Sequence, residues 1–163
     1  MKAAEILKKN LLQSIDAKTE LLEDEESIKV FNEAIEELLS IYKNGGKLFL
    51  AGNGGSAADA QHLAAEFLIR LTPKVNRKGI PAISLAQDTS TLTACINDYS
   101  SDDIFKRVLS TLGQPNDVLL AITTSGNSNN IFTEMVSRRL FTSIGECQIS
   151  KFSNGEIRID NIT

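Results

Sequence analysis

The sequence contains few of the residues that mark nucleic-acid-binding, secreted or membrane proteins. It has one histidine, two cysteines and no tryptophan in 163 residues. Its 17 Lys and Arg against 21 Asp and Glu give a net charge of -4, and without a basic run a nucleic-acid surface is not expected. Cys95 and Cys147 lie in no metal-binding spacing, which favours reduced thiols. Because no segment approaches the roughly 20 apolar residues of a membrane span and no signal-peptide core is present, we expect a cytoplasmic protein.

Residues 47–67 carry the clearest pattern in the chain. Residues 48–51 form a continuous apolar run, typical of a strand buried on both faces, and the alanine-rich stretch after Ser56 predicts a helix. The glycines between them let backbone amides approach a ligand, and Ser56 is placed to cap the helix. This arrangement favours an anion, most simply a phosphate, at the positive end of the helix. From the glycines alone, a plain connecting turn remains an equal alternative.

His62 and Glu66 stand four residues apart, so both side chains lie on one face of this helix. Such a pair is more often a surface contact than a site. This pair contains the only histidine of the chain and lies beside a phosphate-type turn, which favours a functional site. The turn also fits a dinucleotide-binding pattern, but residues 72–78 lack the acidic residue that would hold a ribose. No Gly-Lys-Ser/Thr follows the glycines, so we expect no nucleotide cofactor.

A second strand, turn and helix follows at residues 117–136. The segment 117–123, Asp-Val-Leu-Leu-Ala-Ile-Thr, predicts a buried strand that leads into Thr124-Ser125-Gly126-Asn127-Ser128, and then into an apolar helix containing Ile131, Phe132, Met135 and Val136. Three hydroxyls and free backbone amides can surround a phosphate without a cation. As a lone motif this could be an ordinary helix cap. Paired with the first turn at the same edge of a sheet, it favours a phosphate site.

The remaining pattern predicts a three-layer α/β domain with a parallel sheet of four or five strands and an N-terminal helical extension. Two helices in residues 1–44, separated by residues 23–27, carry apolar stripes that could pack on the sheet but favour association between subunits. We therefore predict an oligomerisation extension at 1–44 and a phosphate-binding domain at 45–163, whose ligand the resemblance described next implies to be a sugar phosphate. Other strands are expected at 81–86 and 141–144, and other helices at 89–96, beginning at Asp88, and at 102–112.

Residues 52–62, Gly-Asn-Gly-Gly-Ser-Ala-Ala-Asp-Ala-Gln-His, with Glu66 after them, closely resemble the signature of the phosphoheptose isomerases of the sugar isomerase (SIS) superfamily. The hydroxyl-rich turn at 124–128 resembles the one with which that superfamily holds sugar phosphates. The resemblance implies a Rossmann-like SIS fold with a fifth strand at 155–159, and a homotetramer. It also implies the conversion of sedoheptulose 7-phosphate to D-glycero-D-manno-heptose 7-phosphate, for bacterial lipopolysaccharide heptose synthesis.

The same resemblance implies roles for individual residues. Glu66 and His62 would be catalytic and would also bind a divalent ion such as zinc. A Gln and a His that complete the family's metal set lie on a final helix, beginning about where this chain ends at Thr163. With two of the expected ligands, we expect weak or no metal binding, and a non-enzymatic SIS sensor or adaptor is the alternative function. The expected substrate-binding residues are Asn53, Gly54, Gly55, Ser56, Asn97, Asp98, Thr123, Thr124, Ser125 and Ser128.

Overall fold

The computed structural model describes residues 2–131, 140–142, 147–151 and 157–161. The chain divides into two compact units, Met1–Glu36 and Glu37–Thr163. The first contains helix α1 (Ala3–Glu23) and the start of α2 (Glu25–Lys43). A single residue separates the two helices, because the Asp24 carboxylate accepts hydrogen bonds from the N–H of Glu26 and of Ser27 at 3.2 and 3.3 Å and so begins α2 directly.

The second unit is built on a four-stranded parallel sheet. In chain order its elements are β1 (Leu48–Gly52), α3 (Gly55–Leu68), β2 (Ala82–Ser84), α4 (Thr89–Asp98), α5 (Ile104–Leu112), β3 (Val118–Ile122) and β4 (Leu140–Thr142). A 3-10 turn at Ser101–Asp103 precedes α5. The strands lie in the order β2-β1-β3-β4, and β1 pairs in parallel with both of its neighbours. The predicted parallel α/β fold is confirmed.

Alternate residues of the central strands enter two separate cores. Phe49 and Ala51 pack with α4, α5 and Ile131 on one face, whereas Leu48 and Leu50 pack with α3 and the last turns of α2 on the other. Since side chains alternate between the two faces of a strand, a strand covered on both sides must be apolar throughout. The result is the predicted arrangement of three layers, helices on each side of one sheet.

The predicted fifth parallel strand at 155–159 is wrong. Residues Ile157–Asn161 form β6, which pairs antiparallel with β5 (Cys147–Lys151) in a separate two-stranded sheet. In both segments apolar and polar residues alternate, as in Cys-Gln-Ile-Ser-Lys and Ile-Arg-Ile-Asp-Asn. Such alternation is typical of an antiparallel hairpin with one covered face, while a buried parallel strand is apolar at every position.

A buried ion pair joins the beginnings of β1 and β3. The Asp117 carboxylate, only 4% exposed, accepts hydrogen bonds from the backbone N–H and Nζ of Lys47 at 2.9 and 2.7 Å, and from the N–H of Gln114 at 2.7 Å. Burial alone would raise the pKa of Asp117, but the hydrogen bonds from Lys47 and Gln114 outweigh it and hold this pKa below its usual value. The pair therefore fixes the sheet at the edge opposite the two turns.

None of the helices in the described ranges combines the length with the apolar character needed to cross a membrane.

Candidate active site

The two predicted phosphate turns lie at the point where the order of the sheet reverses. From β1 the chain proceeds through α3 to β2 on one side, and then crosses to β3 on the other side of β1. Loops that leave the carboxyl ends of β1 and β3 consequently diverge, and parallel α/β sheets bind ligands in the crevice between such loops. Residues 53–56 follow β1 and residues 123–128 follow β3, so both turns border this crevice.

The first turn brings α3 unusually close to the end of β1. A Cβ on Gly52 would collide with the backbone carbonyl of Ser56, so only glycine permits this approach. Gly54 is the residue before α3 and has a φ of 56°, a conformation that favours glycine. The prediction that Ser56 caps the helix is wrong, because the positive φ of Gly54 lets the helix begin at Gly55. Ser56 is instead buried in the first turn of α3.

Backbone donors remain at the start of α3. The N–H of Ser56 donates to the Asn53 carbonyl at 3.0 Å, and that of Ala57 donates to the Gly54 carbonyl at 3.2 Å. For the N–H groups of Gly54 and Gly55, the described residues offer no backbone acceptor in the turn. Together with the positive end of the helix, these two donors suit an anion.

The second turn gathers the predicted hydroxyls. The Oγ1 atom of Thr123 lies 3.5 Å from Oγ of Ser125 and 3.3 Å from Oγ of Ser128. The Ser125 hydroxyl also accepts a hydrogen bond from the N–H of Asn127 at 3.2 Å, while Thr124 is exposed. A helix begins at residue 129, and Ile131 is buried in the core. The other predicted apolar residues of that helix, Phe132, Met135 and Val136, lie outside the described residues.

A pair of amide side chains joins the two turns across the crevice. Nδ2 of Asn53 donates to Oδ1 of Asn130 at 2.8 Å, and Nδ2 of Asn130 donates back to Oδ1 of Asn53 at 3.0 Å. Sequence reasoning named Asn53 as a ligand but missed Asn130. The two residues are 77 positions apart, and nothing in the local pattern around Asn130 indicates a partner.

His62 and Glu66 lie along α3, as predicted from their spacing. Nε2 of His62 is 3.7 Å from Oε1 of Glu66, and the side chain of His62 is 73% exposed while that of Glu66 is 25% exposed. Oε2 of Glu66 is buried and has no hydrogen-bond partner among the described residues. A buried carboxylate oxygen is rarely left without a partner, so this atom is the strongest indication of a ligand on α3.

Arg77 holds the end of the helix that carries Glu66. Its guanidinium donates to the backbone carbonyls of Glu66 and Phe67 at 2.6 and 2.8 Å. A cation at this end also interacts favourably with the helix dipole. Sequence reasoning missed Arg77, because the recognisable signal is a basic residue in the last turn of a helix and α3, which ends at Leu68, has none there.

The donor set for a metal ion on α3 is incomplete within the described residues. One imidazole and one carboxylate are ligand types that zinc accepts, and the unpartnered Oε2 of Glu66 is available. However, the described ranges contain no group of three or more His, Cys, Asp or Glu that could hold a metal ion. Zinc sites use three or four protein ligands, so these residues alone do not fit the ion.

Asn97 and Asp98 form the last residues of α4, a helix of ten residues that Asp88 caps at its start, as predicted. Nδ2 of Asn97 donates to Oδ1 of Asp98 at 2.7 Å, and both residues are exposed. The start of α4 follows β2, and its end is about 15 Å away along the helix axis. Among the described residues neither side chain hydrogen-bonds with the two turns, so their role in sugar binding stays a prediction.

Comparison with known proteins places this arrangement in a family. The SIS domain family matches residues 11–138 of the chain. Over 141 residues the chain is 41% identical to a phosphoheptose isomerase of Aneurinibacillus thermoaerophilus, a match that covers 85% of this chain and 70% of that protein. It is 53% identical over 98 residues to a phosphoheptose isomerase of Chlorobaculum parvum, which covers 60% of this chain and only 47% of that protein.

A solved structure shows the same fold. The phosphoheptose isomerase of Neisseria gonorrhoeae superposes with a TM-score of 0.75 at 36% identity, and the match covers 86% of this chain and 73% of that one. The chain thus spans about half to three quarters of the length of the relatives that it matches.

Proposed function

Because this chain belongs to the phosphoheptose isomerase family of SIS-domain proteins, we propose that it interconverts sedoheptulose 7-phosphate and D-glycero-D-manno-heptose 7-phosphate. The family and the class of phosphosugar isomerase, both predicted from the sequence, are confirmed by these relatives. The observation that best supports the proposed reaction is the unpartnered carboxylate oxygen of Glu66, on the same helix whose first turn faces the anion crevice.

The length of α3 supports an elongated substrate. Ser56 and Glu66 are ten residues apart on one helix, which corresponds to about 15 Å along its axis. A ligand that contacts both residues within one chain must therefore extend from the phosphate turns to the carboxylate. A sugar phosphate with its charged group at one end and its carbonyl at the other has this form. Binding energy at the phosphate would then position the reacting carbons.

The reaction moves one proton between adjacent carbons. Glu66 would take the proton from C1 of the ketose while the carbonyl oxygen at C2 gains a proton, which gives the enediol. Glu66 would then return its proton to C2 while the hydroxyl on C1 loses its proton, so that the C1 carbonyl of the aldose forms and the number of protons is unchanged. His62 would donate a hydrogen bond to the oxygen on which negative charge develops. No step is assigned to a metal ion, since the described donors do not complete a site.

The replacement Glu66→Gln tests this role with little change in volume. We expect it to lower kcat by about 100-fold or more, because the base is lost, and to leave phosphate binding at the turns intact. Asp59→Asn removes a carboxylate of α3 that is exposed, unlike that of Glu66, and is the matched control, with no loss of activity expected. Aldose formation from sedoheptulose 7-phosphate is the assay.

Two outcomes of this assay have different meanings. An active Glu66→Gln variant would contradict the assignment of Glu66 as the base. A wild-type chain that binds the sugar phosphate without forming aldose would support the alternative function, a sensor or adaptor.

We also propose that the N-terminal unit associates with further copies of the chain, as a homotetramer. Helix α1 is fully described and none of its residues is buried, although it carries a series of leucines and isoleucines. Leu7, Leu11 and Ile15 are each more than half exposed. A continuous apolar surface of this kind is unusual on a monomer. Light scattering should give the mass of four chains for the wild type and a smaller mass for Leu11→Glu; a stable wild-type monomer at micromolar concentration would refute the proposal.

For the metal, we propose that His62 and Glu66 alone bind zinc weakly. Elemental analysis after dialysis should find well under one zinc per chain, because two donors are too few for a stable site. Full zinc occupancy, with no ligand from another subunit, would contradict this expectation.

The cytoplasmic location and the role in bacterial surface heptose synthesis stay predictions, which cell fractionation and complementation of a heptose-deficient strain can test.

A further inference from the structure

We propose that Asn130 is a positioning residue, whose side chain holds Asn53 and so sets the distance between the two phosphate turns before the ligand arrives. The inference rests on the proposed function only in that the ligand is a sugar phosphate. Its physical basis is the reciprocal pair of hydrogen bonds between the two amides, at 2.8 and 3.0 Å.

This pairing requires an amide on each side. Each residue contributes one N–H donor and one carbonyl acceptor, so two hydrogen bonds form in opposite directions. Aspartate at position 130 has the same shape, but its ionised carboxylate could only accept a hydrogen bond and would face the Asn53 oxygen without a proton between them. The pair is therefore sensitive to a change that leaves the volume of the side chain unaltered.

The two partners differ in how firmly the chain holds them. Asn130 precedes Ile131, which is 1% exposed in the core and donates its backbone N–H to the Ser128 carbonyl at 2.9 Å. Asn53 is exposed and precedes two glycines, of which Gly54 has the positive φ. A glycine-rich segment has much conformational freedom to lose on binding. Asn130 is thus the anchored partner, and Asn53 is the residue that it restrains.

The arrangement changes the role expected of Asn53. In the pair, its amide already donates one hydrogen bond and accepts another, which leaves one N–H and one oxygen lone pair for a ligand. We infer that Asn53 acts mainly by keeping the N–H groups of Gly54 and Gly55 directed into the crevice opposite the hydroxyls of the second turn. A preformed site avoids the cost of ordering the turn when phosphate binds.

The first experiment measures the turn without any ligand. Amide hydrogen exchange of residues 53–57 is compared in phosphate-free wild type, Asn130→Ala, Asn130→Asp and the control Asn76→Ala, which alters an exposed asparagine away from both turns. Asn130→Ala, which loses both hydrogen bonds, should speed exchange about tenfold or more, Asn130→Asp, which loses one of them, should speed it by a smaller factor, and the control should not change it. If neither variant changes the protection of residues 53–57, the side chain of Asn130 does not restrain the turn and the proposal is overturned. This result does not depend on isomerase activity.

The second experiment is a double-mutant cycle on ligand affinity. Binding of sedoheptulose 7-phosphate and of inorganic phosphate is measured for Asn53→Ala, Asn130→Ala and the double variant. If Asn130 acts through Asn53, Asn130→Ala weakens binding about tenfold when Asn53 is present and has no further effect when Asn53 is replaced by alanine. In an active enzyme the loss should fall on KM rather than on kcat. Equal effects of Asn130→Ala in both backgrounds would show an independent role and overturn the proposal.

Discussion

The close approach of β1 and α3 makes the substitution Gly52→Ala a sharp test of the first turn. The added Cβ would overlap three atoms of Ser56: the carbonyl oxygen, the carbonyl carbon and the Cβ. Two of them belong to the backbone, so the collision cannot be relieved by rotating a side chain. The start of α3 would have to move away from the strand, and the buried Ser56 would move with it.

The expected cost follows from this geometry. Overpacking of a protein interior by a methyl group costs about 1 to 3 kcal/mol, and rigid backbone neighbours place this site near the upper value. At about 3 °C for each kcal/mol in a chain of this size, the midpoint of thermal unfolding should fall by about 10 °C. The shift of the helix N-terminus should also weaken phosphate binding at the proposed site, because the N–H groups of Gly54 and Gly55 would move with it.

The same turn contains a matched control. A Cβ added at Gly55 would meet no atom within 4 Å, and this residue is not among the glycines with positive φ. Gly55→Ala should leave stability unchanged or raise it by about 0.5 kcal/mol, because alanine restricts the unfolded chain more than glycine does. Thermal and urea unfolding should therefore show that the two variants change the free energy of unfolding by amounts of different sign or size. If both lose the same stability, or if Gly52→Ala unfolds like the wild type, the proposed collision is wrong.

Two further predictions concern the opposite edge of the sheet and the second turn. Asp117→Asn should lower the free energy of unfolding by about 3 kcal/mol at neutral pH, because the ion pair with Lys47 is broken and N–H donors then face the new amide. Since the folded-state pKa of Asp117 is depressed, its contribution to the free energy of unfolding is present above the ordinary pKa near 4 and is lost as the pH falls through the folded pKa. Urea unfolding of the wild type and of Asp117→Asn should therefore show a difference in free energy that shrinks only at this acid end. A difference that stays constant with pH would refute the linkage. Ser128→Ala should weaken binding of phosphate about tenfold and lower the free energy of unfolding by about 1 kcal/mol or less, because it removes the contact of this hydroxyl with Oγ1 of Thr123 at 3.3 Å. Calorimetry measures both effects, and equal binding would exclude this hydroxyl from the site.

The central fold could be predicted because its signals are local. The apolar runs of β1 and β3 indicate strands covered on both faces, and Asp88 is a cap residue in a recognisable position, where it accepts a hydrogen bond from Ser90 N–H at 3.0 Å. The start of α3 was misplaced because serine is an ordinary cap, whereas the actual start depends on the φ of Gly54, which composition alone does not give.

Features that depend on distant residues could not be predicted in the same way. The pair of Asn53 with Asn130 and the ion pair of Lys47 with Asp117 each join segments at least 70 positions apart. Both connect β1 to the region of β3, and the parallel pairing of those strands is what brings them together. A sequence pattern can indicate that each strand exists, but the partner of a single polar side chain follows only from the register between them.

The two ends of α3 are held by different contacts, and this separation bears on how the site works. At its start the Asn53–Asn130 pair restrains the turn, and at its end Arg77 binds the carbonyls of Glu66 and Phe67. A helix fixed at both ends is a rigid spacer of about 15 Å between the anion crevice and the carboxylate. In the proposed reaction, contacts at the crevice would persist throughout, whereas Glu66 would act as the base only while the proton moves. Changes in the turns should therefore appear mainly in KM, and changes at Glu66 mainly in kcat.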